Sequence, residues 1–202
     1  MKKSLGHRGE GSNAMETTIA LREWAVAVKA LEEGRQVIVL RKGGIAEETK
    51  EFRLESPRFY LFPSFEHQRP NLVIPEAAGG VEQTQAEAAL TPGFVTVTSF
   101  AEVAEDLEVT DAETLKRLEG LHIWTEDYAE ERLRWKKKKP LHVLVLRVYR
   151  LNEPRTIPMR DEYGGCKSWI ELQDLSGSPL TPVLDDEQFR RQSEEVRNRI
   201  HR

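Results

Sequence analysis

The residues of this sequence best suited to catalysis are the neighbours Glu66 and His67 and the single cysteine, Cys166. An imidazole beside a carboxylate can act as a general base. A thiol close to a cation, as Cys166 is to Lys167 in the sequence, ionises more readily and becomes a nucleophile. Glu66, His67 and Cys166 are therefore the candidate catalytic residues. A histidine that only hydrogen-bonds the backbone and a cysteine buried in the core are the alternatives.

Arg41 and Lys42 are suited to a different task, the binding of an anion. They end a β-branched run and are followed by Gly43 and Gly44. Because glycine lets the backbone approach a ligand closely, N–H groups at such a turn can reach a phosphate. A hairpin turn flanked by solvated charges is the alternative interpretation.

Aromatic and basic residues are interleaved between positions 124 and 169. This mixture is typical of surfaces that stack bases and bind phosphates, so DNA or RNA is the predicted partner. The candidate nucleic-acid-binding residues are Arg41, Lys42, Arg132, Arg147, Arg150, Trp124, Tyr149 and Trp169. The alternative is plain packing of rings against the aliphatic stems of the basic side chains.

The charge of the chain is unevenly distributed. The 202 residues include 30 basic and 34 acidic ones, a net charge of −4. Residues 76–131 nevertheless carry a net charge of −12, with fourteen acidic and two basic residues, whereas residues 132–155 carry +8. The local basic segment keeps a polyanionic partner open, although the overall charge does not favour one.

The sequence lacks the common enzymatic motifs. It contains no phosphate-binding glycine motif, no nucleophile elbow and no metalloprotease motif. His67, His122 and His142 are not spaced with Cys166 as in a zinc site. We therefore predict neither a metal nor a cofactor.

The elements that must position these residues follow from periodicity and capping. Residues 18–33 show a helical apolar stripe and are predicted to form a helix. Residues 76–93 are predicted to be an exposed loop because they contain few large apolar side chains. Ser99 and Glu102 form a capping-box pattern that predicts a short helix, and Asp111, Thr125 and Asp185 are further predicted helix starts. The predicted strands are 37–40, 59–62, 94–98, 141–151 and 168–172, with 141–151 central. The irregular order of helices and strands predicts an α+β class.

The domain organisation is predicted to be simple. Residues 1–14 are interpreted as an engineered tag or disordered leader, because Ser-Asn-Ala precedes Met15. Residues 15–184 are predicted to form a single compact domain and 185–202 a C-terminal helix. A single cysteine is typical of cytoplasmic proteins. The most apolar run, 141–151, contains charges and is too short to span a bilayer, so no membrane association is predicted.

Several short segments occur together in a recognisable order. They are Ala-Leu-Arg-Glu-Trp at 20–24, Leu-Arg-Lys-Gly-Gly-Ile at 40–45, Phe-Pro at 62–63, Glu-His-Gln at 66–68, His-Ile-Trp at 122–124, Leu-Arg-Val-Tyr-Arg-Leu at 146–151, Gly-Cys at 165–166 and Ser-Trp at 168–169. Over about residues 18–175 the chain thereby resembles the bacterial domain of unknown function 1802 family. The resemblance implies an uncharacterised function and an association with restriction-endonuclease-type domains. It therefore implies an accessory or recognition role beside a separate nuclease subunit, in restriction-modification or defence.

A second resemblance concerns the fold. Gly34, Gln36, Val39 and Arg41 fall in register with the Gly-x-Lys-x-x-Glu-x-Arg motif of ASCH domains, which are small PUA-like β-barrels linked to RNA or modified-base binding. Only Gly34 and Arg41 match that motif. The resemblance implies a barrel-like mixed sheet and carries over no catalytic residue.

Three functions remain open from the sequence. The first is a nucleic-acid-binding accessory module, the second an enzyme with a pocket centred on His67, and the third a protein-interaction subunit. In the third, the acidic region 76–131 covers the basic segment or recruits a partner.

Overall fold

The computed structural model describes residues 17–42, 53–135, 139–165, 167–173, 175 and 177–202. The interpretation of residues 1–14 as a tag or leader lies outside the described residues. The strands are β1 (Ile19–Trp24), β2 (Ile38–Arg41), β3 (Arg58–Ser64), β4 (Phe94–Val109), β5 (Leu141–Pro158), β6 (Trp169–Glu171) and β7 (Leu180–Pro182). The α-helices are α1 (Ala25–Glu32), α2 (Pro75–Ala89), α3 (Ala112–Arg117), α4 (Glu126–Arg134) and α5 (Asp186–Ile200).

The seven strands form one mixed sheet in the order β2-β5-β4-β3-β1-β6, and β7 pairs with a separate part of β5. Strands β1 and β3 are parallel, and the other pairs are antiparallel. Although β2 and β1 lie far apart in this order, Arg41 on β2 donates a hydrogen bond to the carbonyl oxygen of Arg22 on β1. The sheet is therefore curved into a half-barrel with flanking helices, which confirms the α+β class.

Both faces of the curved sheet are covered. Along β3, Phe59 and Leu61 join the larger core, which also contains the apolar faces of the helices. Tyr60 and Phe62 point to the opposite face and join a smaller core with Tyr163. This alternation is the period of two expected of a strand that is buried on both sides.

The predicted helix at 18–33 was wrong in its first part, because the chain forms β1 before α1 begins at Ala25. Residues Ala20–Trp24 pair in parallel with Tyr60–Ser64 of β3. The apolar stripe at helical spacing coincides with a strand that is buried on both faces, so the periodicity could not separate the two states. Long-range pairing with β3 decides the outcome.

The predicted loop at 76–93 is instead the helix α2, which begins with Pro75 at its first turn. Its buried residues are small, and Gly80 lies so close to α1 that an added Cβ would be 3.1 Å from a methyl carbon of Val26. A narrow stripe of small residues packs against α1, and it is enough to hold the helix without large apolar side chains. The loop was predicted because small and polar residues bury little surface, and this close packing against α1 is why the prediction fails.

The capping box predicted at Ser99 is also wrong, because Ser99 lies inside the long strand β4. Pairing with β3 on one edge and β5 on the other overrides this local signal. The other caps are confirmed: the side chains of Asp111, Thr125 and Asp185 accept hydrogen bonds from backbone N–H groups in the first turns of α3, α4 and α5. The central strand predicted at 141–151 is confirmed as part of β5, which pairs with three other strands.

No helix in the described part of the chain is long and apolar enough to cross a membrane.

Candidate functional site

A cleft of about 200 Å³ opens where β1, β2 and β3 end, beside the last turn of α4 and the segment before β6. Its basic lining residues are Arg22, Arg41, Lys42, Arg132 and Lys167, and its acidic ones are Glu23 and Glu66. His67, Ser64, Trp24 and Trp135 also line it. We call this the cationic cleft.

A larger groove of about 480 Å³ lies between α1, α2 and β4. Its charged lining residues include Lys29, Glu32, Glu33 and Glu87, so no single sign of charge dominates it. Volume alone would favour this groove, but the convergence of charged and titratable groups favours the cationic cleft as the functional site.

Arg22 forms one wall of the cationic cleft from strand β1. Only 8% of its surface is exposed. One terminal nitrogen donates to the carbonyl oxygen of Gly165, and the other lies 3.4 Å from both the Ser64 hydroxyl and a Glu66 carboxylate oxygen. Because 56% of the Glu66 side chain is exposed, solvent screens this ion pair strongly.

Glu23 and Arg41 form a buried ion pair at the base of the cleft, with 3.3 Å between the closest nitrogen and oxygen atoms. Their residues are 5% and 8% exposed. The second carboxylate oxygen of Glu23 accepts the backbone N–H of Trp24 at 2.8 Å. Glu23 was not predicted as a site residue from the sequence, although the adjacent charges of Arg22 and Glu23 within the apolar run of β1 were a signal for it.

Lys42 is only 3% exposed, yet it follows the last residue of β2 and lines the cleft. Its ammonium donates to the carbonyl oxygen of Leu133 in α4. No carboxylate pairs with it in the described part of the chain, and burial lowers the pKa of Lys42. Both facts indicate an ammonium that would be stabilised by an added anion.

Aromatic rings support the side of the cleft formed by α4. The Arg132 guanidinium donates to the Tyr128 hydroxyl at 2.9 Å and lies 5.2 Å from the centre of that ring. Tyr128 in turn packs against Trp24, with 5.0 Å between ring centres, and burial raises the pKa of Tyr128. Trp135, at the C-terminal end of α4, lines the cleft with 39% of its surface exposed. An exposed indole beside an arginine is suited to stacking on a base.

His67 lies in the turn after β3 with a φ of 65°. Its side chain is exposed, and none of the described residues forms a hydrogen bond with its ring. The following residue, Gln68, is buried and accepts a hydrogen bond from the backbone N–H of Val26 at 3.3 Å. It donates another to the Thr84 hydroxyl at 3.1 Å.

The balance of buried charge in the cationic cleft is positive. Among the described residues that line it, three cations are less than a tenth exposed, those of Arg22, Arg41 and Lys42, and one carboxylate is, that of Glu23. Buried charges are costly unless they are paired, so the arrangement favours a bound anion. In the parts of the chain that the structure describes, no group of three His, Cys, Asp or Glu residues could hold a metal ion.

The structure thus brings together five of the residues singled out from the sequence: Arg41, Lys42, Arg132, Glu66 and His67. Cys166 lies outside the described residues. The remaining five, which do not line the cleft, are Arg147, Arg150, Trp124, Tyr149 and Trp169.

Each of these five has a described contact or a buried position. Arg147 pairs with Asp186 of α5 at 2.7 Å, and Arg150 donates to the carbonyl oxygen of Glu32. The Tyr149 hydroxyl donates to Glu102 at 3.0 Å, and the Trp169 indole donates to the carbonyl oxygen of Arg53 at 2.7 Å. Trp124 is 3% exposed within the core.

Gln36 and Val39, the two residues that differ from the ASCH motif, also have structural roles. Gln36 is 2% exposed and bridges the chain by donating to the carbonyl oxygen of Ile38 and accepting the N–H of Ile123. Val39 is fully buried in β2. Neither side chain lines the cationic cleft.

Among solved structures, the chain is similar to ASCH from Zymomonas mobilis at 13% identity, with a TM-score of 0.44 over 89% of this chain and 93% of that one. A serine-to-alanine mutant of the same protein gives 14% identity and a TM-score of 0.44, over 77% of this chain and 88% of that one. A tyrosine-to-phenylalanine mutant gives 14% and 0.43, over 77% and 90%.

No curated protein matches the sequence at a significant level. One protein-family profile, described as "Domain of unknown function (DUF1802)", matches residues 20–195, which is most of the chain. The protein therefore belongs to the family of that domain of unknown function.

Proposed function

We propose that the protein binds a strand of nucleic acid through the cationic cleft, as a recognition module. The observation that carries this proposal is the ammonium of Lys42, which is buried in the cleft and pairs with no carboxylate among the described residues. A phosphate group supplies the missing negative charge, and Trp135 at the rim supplies a surface on which a base can stack.

The size of the cleft limits how much of a ligand it can enclose. A volume of about 200 Å³ is smaller than the roughly 300–1,000 Å³ of sites that enclose a drug-sized molecule. The cleft therefore suits one nucleotide unit of a strand, with the rest of the strand outside.

The acidic region 76–131 forms its described ion pairs with cations that do not line the cleft. Glu102 pairs with Arg58, Glu105 with Arg197 and Glu126 with Lys116.

A finer proposal rests on the family resemblance alone. In it, the module acts in the bacterial cytoplasm and presents its strand to a separate nuclease subunit in restriction-modification or defence. Expression of the chain with a neighbouring nuclease gene, followed by cleavage assays with and without Lys42→Met, tests this role.

Binding itself is tested by fluorescence anisotropy with single-stranded DNA and RNA of about 12 nucleotides, a length typical of such sites. We expect affinity to fall linearly with the logarithm of salt concentration. Lys42→Met is the informative variant, because it removes a buried charge without leaving a cavity. Urea unfolding of the variant checks that the lost hydrogen bond to the Leu133 carbonyl oxygen leaves the fold intact. It should weaken binding and reduce the salt slope by about 0.7, the value for one phosphate contact to a single strand.

The matched control is Arg190→Met, which removes an exposed charge from α5 that does not line the cleft. It should leave both affinity and slope unchanged. The proposal fails if the protein does not bind either strand at low salt, or if Lys42→Met and Arg190→Met have the same effect.

A further inference from the structure

The turn that follows β3 combines a strained backbone with an unused side chain. His67 has a φ of 65°, and it is the one residue other than glycine with a positive φ among the residues described. For a residue with a side chain, this left-handed conformation costs free energy that glycine would avoid. Strain of this kind concentrates at ligand-binding and catalytic sites.

The described fold does not use the imidazole of His67, although the residue adopts this strained conformation. The His67 side chain is exposed at the cleft, and its ring forms no hydrogen bond with any of the described residues. A glycine would make the turn at lower cost. The choice of histidine therefore points to a contact that the described residues do not supply.

The residues on either side hold the turn in place. Glu66 reaches Arg22 on β1 at 3.4 Å. Gln68 is 4% exposed and joins two helices, accepting the N–H of Val26 at the start of α1 and donating to Thr84 of α2. The Thr84 hydroxyl is itself anchored, since it donates to the carbonyl oxygen of Val81 at 3.0 Å. The buried hydrogen bonds of Gln68, more than the solvent-screened ion pair of Glu66, thus hold the turn in place before any ligand arrives.

We propose that His67 contacts a phosphate oxygen of the bound strand and that Gln68 is a positioning residue that holds the imidazole in the cationic cleft. This inference rests on the proposed function and assigns a subsite within it. Arg22, Ser64 and Lys167 line the same cleft and supply further donors to the phosphate. Gln68 acts without touching the ligand, because its side chain points between α1 and α2.

The test uses the single-stranded DNA probe of the previous section, with inorganic phosphate as a competitor. His67→Gly and His67→Asn should fold at least as stably as the natural chain, because both residues accept a positive φ. Each should lower the affinity about tenfold, the loss expected for one hydrogen bond to a charged group. At equal probe saturation, phosphate should compete better with the probe in the natural chain than in either variant, because each variant has lost a donor to the anion. Equal competition in the natural chain and the variants overturns the assignment of phosphate to His67. Arg69→Ala, which removes an exposed neighbouring charge that does not line the cleft, is the control and should have little effect.

Gln68 is tested by a double-mutant cycle. Gln68→Leu should weaken binding in the natural chain but cause no further loss in the His67→Gly background, because the residue it positions is absent there. A merely structural role would lower the affinity equally in both backgrounds, and such additivity overturns the inference for Gln68.

Failure of the inference can be told apart from failure of the proposed function. If His67→Gly binds like the natural chain while Lys42→Met does not, the cleft binds the strand and the His67 subsite is refuted. If the natural chain does not bind at low salt, both are refuted.

Discussion

The buried ion pair between Glu23 and Arg41 should couple the two strands that the curvature of the sheet brings together. At a separation of 3.3 Å, the Coulomb energy is about 5 kcal/mol for an effective dielectric constant of about 20. Removing one partner leaves the other charge buried without this ion pair, and breaking a buried pair typically costs about 3–5 kcal/mol. We therefore expect Glu23→Gln and Arg41→Met each to lower the free energy of unfolding by about 3 kcal/mol or more.

The double variant should be far less destabilised than the sum of the two single variants. The interaction energy from this cycle is expected to be about 2–3 kcal/mol. It is obtained from urea unfolding followed by tryptophan fluorescence, with the midpoint and slope fitted together. The cycle cancels the other contacts of each side chain, such as the hydrogen bond from Arg41 to the Arg22 carbonyl oxygen.

A matched cycle on Arg190 and Glu194 provides the control. This pair lies on the exposed face of α5, with side chains 60% and 44% exposed, and its interaction energy should be only about 0.3–0.5 kcal/mol. High salt should weaken the control pair and leave the buried pair almost unchanged. An interaction energy for Glu23 and Arg41 no larger than that of the control would refute the claim that this pair joins β1 to β2.

Three further predictions concern stability. Burial lowers the pKa of His122 to about 4 from 6.5. As the pH drops from 6.5 to 4, this histidine is protonated in the unfolded chain but not in the folded one, so the free energy of unfolding should fall by up to about 3 kcal/mol. Urea unfolding across this range should show the loss in the natural chain and not in His122→Gln. The hydrogen bond to Asp106 raises the pKa of His142, and Glu108 adds to this effect, so the stabilisation is complete below pH 6.5 and is lost as the pH rises through the raised value. Asp106→Asn should weaken this dependence, and an unchanged profile would contradict it. Gly34→Ala should lower the free energy of unfolding by about 1–3 kcal/mol more than Gly120→Ala, as measured by thermal unfolding. Both glycines have a positive φ, but only at Gly34 would the new Cβ lie 2.6 Å from the Cδ2 atom of Leu184.

The parts of the candidate site that could be predicted from sequence are those whose residues are adjacent in the chain. Arg41 with Lys42 and Glu66 with His67 were identified because each pair follows a strand, and polar residues at strand ends are exposed to ligands. Glu23 was missed because its importance depends on Arg41, its partner from another strand. Arg147 and Arg150 were grouped with the site because they are near Arg132 in sequence, whereas the strand β5 carries them to contacts with α5 and α1.

The sequence by itself determined the features that depend on neighbouring residues: the caps at Asp111, Thr125 and Asp185, the apolar strand β5, and the separation of acidic from basic segments. These interactions span a few residues, so local spacing is sufficient to encode them. Tertiary structure alone decided that residues 19–24 are a strand, that α2 is a helix, and which cations meet in one cleft. Those outcomes depend on pairing with β3, on close packing against α1 and on the curvature of the sheet, all of which join residues distant in the sequence.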